Sequence, residues 1–164
     1  MPITPAENAF RKGLERLTKG EPVEATALFE SAIRIERDRG TARPQMRYLS
    51  FYGLSAAMAQ RATPEAIQAC EMAAEKDFFD AQLHLNLGRV YLLAGKTSKA
   101  LAALERGLQV APGNKALKSE FARANRRGHP PIPWLRRGHP LNCWLGKLRH
   151  SMAMRRARST VPVE

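Results

Sequence analysis

The chain has 164 residues, enough for one compact domain and a tail. Its formal net charge of +12 is uneven, because residues 1–114 carry 15 Lys/Arg and 13 Asp/Glu whereas residues 115–164 carry 12 and 2. The two cysteines, Cys70 and Cys143, match no disulfide-framework or zinc spacing, which favours a reducing compartment. An apolar segment of about 18 residues is absent, as is the apolar core of a signal peptide. These features exclude a membrane-spanning protein and predict a cytoplasmic one.

A helical hairpin is predicted over residues 6–39. Its first helix carries Phe10, Gly13, Leu14 and Leu17, and Gly20 supplies the turn. In the second helix, Ala25, Phe29 and Ala32 follow at intervals of four and three residues, which places them on one face.

A second, less regular hairpin is predicted over residues 46–80. Thr63-Pro64-Glu65 is typical of a helix start, with a cap, a proline in the first turn and an acid near the positive end of the helix. Gly53 lies 13 residues before Ala66, whereas 12 residues separate Gly13 from Ala25. The spacing therefore predicts one extra residue in the turn near residues 60–62.

A third hairpin is predicted over residues 81–114, and its pattern is the most complete. The sequence has Leu87-Gly88, then Tyr91, a turn at Gly95, Ala100 and Leu104 in the second helix, and a closing Pro112. This 34-residue unit resembles the tetratricopeptide repeat. It departs from the family at His84, where tryptophan is usual, and at Gly107, where alanine is usual.

The resemblance implies an all-α, tetratricopeptide-like solenoid of three helix-turn-helix repeats, because one hairpin cannot bury its own apolar face. We predict a repeat domain over residues 1–127, closed by a capping helix over residues 114–127. In the family, the first helix of each repeat lines a concave groove that grips a partner. Carried over by register, the groove residues are Phe10, Leu14, Leu17, Arg47, Ser50, Leu54, Met58, Gln82, Leu85, Arg89 and Leu92.

One subtype of the family uses lysines and asparagines of this groove to clamp a C-terminal carboxylate. Apart from Asn86, the corresponding places here carry other residues, namely Phe10, Leu14, Ser50, Leu54, Leu85 and Arg89. The groove is therefore predicted to be apolar with scattered cations, and to suit an apolar or amphipathic segment better than an acidic C-terminus.

A basic extension is predicted over residues 128–164. Prolines near its start force an extended path, and residues 141–158 form a basic amphipathic helix. The candidate docking residues of this tail are Trp134, Leu135, Arg136, Arg137, Trp144, Lys147, Leu148 and Arg149. Three interpretations stay open: the tail folds back on the repeats, docks on a separate partner or anionic surface, or is disordered.

Motifs for catalysis, phosphate binding or metal binding are missing from the sequence, so we predict neither an enzyme nor a cofactor. The predicted function is non-catalytic protein–protein interaction, as an adaptor, assembly factor or chaperone. The alternative is binding of an anionic lipid or nucleic acid through the basic tail. The sequence predicts neither the identity of the partner nor the oligomeric state.

Overall fold

The computed structural model describes residues 3–40 and 45–126, and every regular element within them is an α-helix. The helices in chain order are α1 (Pro5–Thr18), α2 (Pro22–Asp38), α3 (Met46–Gln60), α4 (Pro64–Lys76), α5 (Ala81–Leu93), α6 (Thr97–Val110) and α7 (Lys115–Arg126). Helices α1 and α2, α3 and α4, and α5 and α6 pack as three hairpins, and α7 follows the last of them. The predicted all-α solenoid of helix-turn-helix repeats is confirmed.

The predicted extension over residues 128–164 lies outside the described residues, and its amphipathic helix therefore stays a prediction. The exact division into repeats and domains also stays a prediction. Within the described residues, no helix combines the length and the apolar character needed to cross a membrane.

Side-chain caps set several helix starts. Thr4 Oγ1 accepts a hydrogen bond from the amide of Glu7 at 3.2 Å, and Thr63 Oγ1 accepts one from the amide of Ala66 at 3.2 Å. These oxygens satisfy amide groups that have no partner inside the first turn of a helix. The same role falls to the side chains of Asp80 before α5 and Asn114 before α7.

In each hairpin, a glycine of the first helix faces a side chain of the second helix. A Cβ atom added to that glycine would lie 2.5 Å from Phe29 Cε1 at Gly13, 2.7 Å from Cys70 Sγ at Gly53, and 2.6 Å from Leu104 Cδ2 at Gly88. Real Cβ atoms do not approach other atoms this closely. Only a residue without a side chain lets the two helices cross at this distance.

Three apolar clusters join the hairpins to one another. The first cluster is aromatic and contains the rings of Phe10, Phe29, Tyr48 and Phe51. Four pairs of these rings have centroids no more than 5.7 Å apart. The second cluster joins α3 and α4 to α5 and α6, and the third joins α5 and α6 to α7. The first two hairpins thus bury their apolar faces against the next hairpin, and the third buries its face against α7, as a stacked array requires.

The extra residue of the middle hairpin lies in a helix, whereas the sequence predicted it in the turn. All three hairpin turns have three residues between their helices. Helix α3 runs seven residues beyond Gly53, two more than α1 beyond Gly13, and α4 begins two residues before Ala66, one fewer than α2 before Ala25. The prediction of an insertion at residues 60–62 was wrong in this detail, because the longer helix keeps its backbone hydrogen bonds where a longer turn would lose them.

The middle turn also differs in its backbone conformation. Gly20 and Gly95 have φ angles of +78° and +72° in the first and third turns. In the middle turn, Arg61 has φ 73° and ψ 164°, a region that is almost restricted to glycine. The turn is therefore strained at a single residue.

We predict that Arg61→Gly stabilises the protein by about 1 kcal/mol, because glycine removes a strain of about 1–3 kcal/mol but gains entropy in the unfolded chain. The measurement is the free energy of unfolding in urea. Arg61→Ala is the matched control, since it removes the same side chain but keeps the Cβ atom. An equal gain from both variants would show that the side chain, and not the backbone, is responsible.

We predict that Gly53→Ala destabilises the protein by about 2 kcal/mol or more, because its Cβ would lie 2.6 Å from the backbone oxygen of Ala66, which cannot move without shifting α4. Gly113→Ala is the control, since its Cβ would meet no atom within 4 Å. Urea unfolding of both variants tests this. A neutral Gly53→Ala would refute the packing argument.

Candidate functional site

The first helices of the hairpins, together with α7, form a row across the stack. We call α1, α3, α5 and α7 the A helices, and the side of the row that carries Arg47, Met58 and Arg89 the A-helix face. Polar side chains link each A helix to the next. The predicted groove residues all lie on α1, α3 and α5.

The first link joins α1 to α3 through a shared carboxylate. Glu7 Oε2 accepts hydrogen bonds from Arg47 Nη2 at 2.5 Å and from the Tyr48 hydroxyl at 3.0 Å. The guanidinium of Arg47 also lies over the rings of Phe10 and Tyr48, at 5.1 Å and 5.4 Å from their centroids. Burial, together with the hydrogen bond to Glu7, raises the pKa of Tyr48, so this hydroxyl stays protonated at neutral pH.

The second link joins α3 to α5 and is fully buried. Asn86 Nδ2 donates to Ser50 Oγ at 3.1 Å, and Asn86 Oδ1 accepts from Gln82 Nε2 at 2.8 Å. Ser50 and Asn86 have no exposed surface, so each would leave an unsatisfied polar group if the other were removed. This link is structural, since no ligand can reach it from solvent.

The third link joins α5 to α7. Arg89 Nε donates to Glu120 Oε1 at 3.1 Å, and Arg123 Nη2 donates to Glu120 Oε2 at 2.5 Å. Both oxygens of Glu120 are therefore occupied by arginines of the same chain. The Arg89 side chain is 38% exposed, so part of its guanidinium faces solvent.

An apolar row crosses the last turns of three A helices. Leu17 and Leu92 stand four residues after the packing glycines of α1 and α5, and Met58 stands five residues after that of α3. Leu17 and Leu92 are half-buried and both pack against the second apolar cluster. Met58 is 47% exposed.

The predicted groove residues divide into two groups. Four of them belong to the core: Phe10, Ser50, Leu54 and Leu85 are at most 4% exposed. The expectation that these side chains face a partner was wrong, because each of them is buried between packed helices. The other residues remain partly or fully accessible, namely Leu14, Leu17, Arg47, Met58, Gln82, Arg89 and Leu92.

The predicted tail-docking residues lie outside the described residues. They are Trp134, Leu135, Arg136, Arg137, Trp144, Lys147, Leu148 and Arg149. Binding of an anionic lipid or nucleic acid by the tail therefore stays a prediction.

Sequence reasoning missed the two carboxylates of the A-helix face. Glu7 and Glu120 lie 40 and 31 residues from the arginines that they contact. Their local sequence shows ordinary helix-surface glutamates, four residues from Arg11 and three from Arg123. Only the arrangement of the helices brings them to Arg47 and Arg89, so a single sequence holds no pattern that predicts the pairs.

Two residues with chemically active side chains, Cys70 and His84, are buried among packed helices. Cys70 is fully buried, and its thiol donates to the backbone oxygen of Ser50. Burial raises the pKa of Cys70 to about 12, so the reactive thiolate is absent at neutral pH. His84 is 2% exposed, with Nε2 2.8 Å from the carbonyl oxygen of Phe78 and its ring against the Phe78 ring.

We predict that the stability of the protein falls between pH 7.5 and 9.5, and that Cys70→Ala abolishes most of the fall. The unfolded thiol ionises near pH 8.5, whereas burial holds the folded thiol protonated up to a pKa of about 12. A raised folded pKa stabilises the protein below pH 8.5, and this stability is lost as the pH rises, by about 1.4 kcal/mol at pH 9.5.

The measurement is urea unfolding of Cys143→Ser and of Cys143→Ser/Cys70→Ala, at three pH values up to 9.5. Tyrosines contribute little in this window, since the unfolded tyrosine pKa is about 10. Identical pH slopes for the two proteins would contradict the prediction.

Comparison with known proteins identifies one repeat in the chain. A family model described as tetratricopeptide repeat matches residues 81–114. The chain contains a tetratricopeptide repeat. The matched residues comprise α5, α6 and the turn that ends at Asn114, which is the third hairpin. Curated protein sequences give no significant match to the chain.

Solved tetratricopeptide-repeat domains share the fold. The domain of Sgt2 from Aspergillus fumigatus is 18% identical, with a TM-score of 0.63 over 84% of this chain and 93% of that one. The first domain of Spaghetti (RPAP3), bound to the HSP90 peptide SRMEEVD, is 14% identical, with a TM-score of 0.62 over 77% and 97%. The second domain of human RPAP3, in complex with the HSP70 peptide SGPTIEEVD, is 19% identical, with a TM-score of 0.58 over 73% and 94%.

Proposed function

We propose that the tetratricopeptide repeats of this chain bind a segment of another protein on the A-helix face, and that the protein acts without catalysis as an adaptor, assembly factor or chaperone. The repeat domain predicted over residues 1–127 is the part that binds. The candidate contact residues are the accessible members of the predicted groove, namely Leu14, Leu17, Arg47, Met58, Gln82, Arg89 and Leu92.

The apolar row is the observation that carries this proposal. Leu17, Met58 and Leu92 lie in the last turns of three consecutive A helices, and each keeps part of its side chain exposed. A row of partly exposed apolar side chains offers area whose burial contributes about 25 cal/mol per Å². Solvent-facing helices of a simple scaffold would instead carry polar residues there.

Two further observations support a binding role. Structures with this fold hold peptides of HSP90 and HSP70, in the first domain of Spaghetti (RPAP3) and the second domain of human RPAP3. The polar links between successive A helices also fix the spacing of the face before a partner arrives, which lowers the entropic cost of binding. The protonated, buried thiol of Cys70 argues against nucleophilic catalysis at this residue.

We predict that Met58→Asp weakens the capture of the main partner at least tenfold, because a charge in the apolar row must be desolvated when the partner covers it. The full-length protein serves as bait, captured proteins are quantified by mass spectrometry, and the dissociation constant of the most enriched one is then measured with purified proteins.

Met72→Asp is the matched control. Met72 is also a helical methionine, 40% exposed, but it lies on α4, a second helix. Loss of the partner with Met72→Asp and retention with Met58→Asp would overturn the proposal, because binding would then occur on another face. Circular dichroism checks that both variants keep the helical content of the wild type.

A further inference from the structure

Arg47 and Arg89, the two arginines that mark the A-helix face, are already paired with carboxylates of the same chain. Arg47 contacts Glu7, and Arg89 contacts Glu120. The arginine side chains are 39% and 38% exposed, so both are within reach of a partner on this face. A carboxylate of that partner would therefore meet an arginine that already has a counter-ion.

The two carboxylates are held more firmly than ordinary surface glutamates. Glu7 is 19% exposed and accepts from Arg47, from the Tyr48 hydroxyl and from Arg11. Glu120 is 12% exposed and accepts from both Arg89 and Arg123. Partly buried pairs with several hydrogen bonds are screened less by salt and are stronger than exposed pairs.

The surroundings of Arg47 limit its movement towards a new partner. Its guanidinium lies over the Phe10 ring, and its Nε atom is buried without a hydrogen-bond partner. To turn towards an incoming carboxylate, Arg47 would lose its contacts with both the ring and Glu7. The cost of breaking these contacts reduces the affinity for any acidic segment by the same amount.

We infer that Glu7 and Glu120 are specificity-determining residues that select against acidic peptides, so that the partner segment is apolar with neutral polar residues. This inference rests on the proposed function and names the chemical class of its partner. The selection is by charge: an acidic segment must displace a carboxylate or lie close to one, whereas a neutral segment covers the apolar row without disturbing either pair.

The test uses the peptide SRMEEVD, which binds a domain of the same fold. We expect the wild-type protein to bind it weakly or not at all, and Glu7→Gln/Glu120→Gln to bind it at least tenfold more tightly. Glutamine keeps the shape and one hydrogen-bond acceptor of glutamate but removes the charge. Affinities are measured by fluorescence anisotropy of the labelled peptide, with the full-length protein at low salt.

Glu24→Gln/Glu105→Gln is the matched control. It changes the net charge by the same amount, but Glu24 and Glu105 are exposed residues of the second helices α2 and α6. A second control is the peptide SRMQQVN with an amidated C-terminus, which carries no carboxylate and for which the Glu7→Gln/Glu120→Gln variant should gain nothing.

The outcomes separate this inference from the proposed function. A gain confined to Glu7→Gln/Glu120→Gln and to the acidic peptide supports the inference. Tight binding of SRMEEVD by the wild type, an equal gain in Glu24→Gln/Glu105→Gln, or no gain in any variant overturns it. None of these results affects the comparison of Met58→Asp with Met72→Asp, which tests the face itself. Thermal unfolding verifies that each variant is folded.

Discussion

The close approach of two helices at a glycine determines the rest of this structure. Gly13, Gly53 and Gly88 each leave room for an atom of the opposite helix that a Cβ would exclude. This contact sets the distance between the helices of a hairpin, and therefore which residues become core and which remain on the A-helix face.

Much of the fold was predictable because its determinants are local. The glycine, the turn and the four-then-three spacing of Ala25, Phe29 and Ala32 all lie within one hairpin. The face was only partly predictable, because exposure depends on neighbours far away in sequence. Ser50 and Leu85 have the register of groove residues, yet they are buried because adjacent A helices cover them. Contacts across more than 30 residues leave no pattern in a single sequence.

The middle hairpin shows how an irregular repeat is accommodated without loss of packing. Its extra residue lengthens α3, while the contact of Gly53 with the backbone of Ala66 is kept. Ala57 takes the position of α3 that corresponds to Leu17 and Leu92, and it is buried. The exposed apolar side chain of α3 is the next residue, Met58.

The polar links between A helices have a consequence for evolution and engineering. The amide nitrogen of Asn86 donates to Ser50, which the preceding hairpin supplies. Arg47 likewise finds Glu7 only when the first hairpin stands before the second. In a chain with its hairpins shuffled or duplicated, a buried amide or a partly buried charge would lose its partner at the new boundary. The hairpins of this solenoid are therefore not interchangeable. The second and the third each have one polar residue, Arg47 and Asn86, whose partner lies on the hairpin before it.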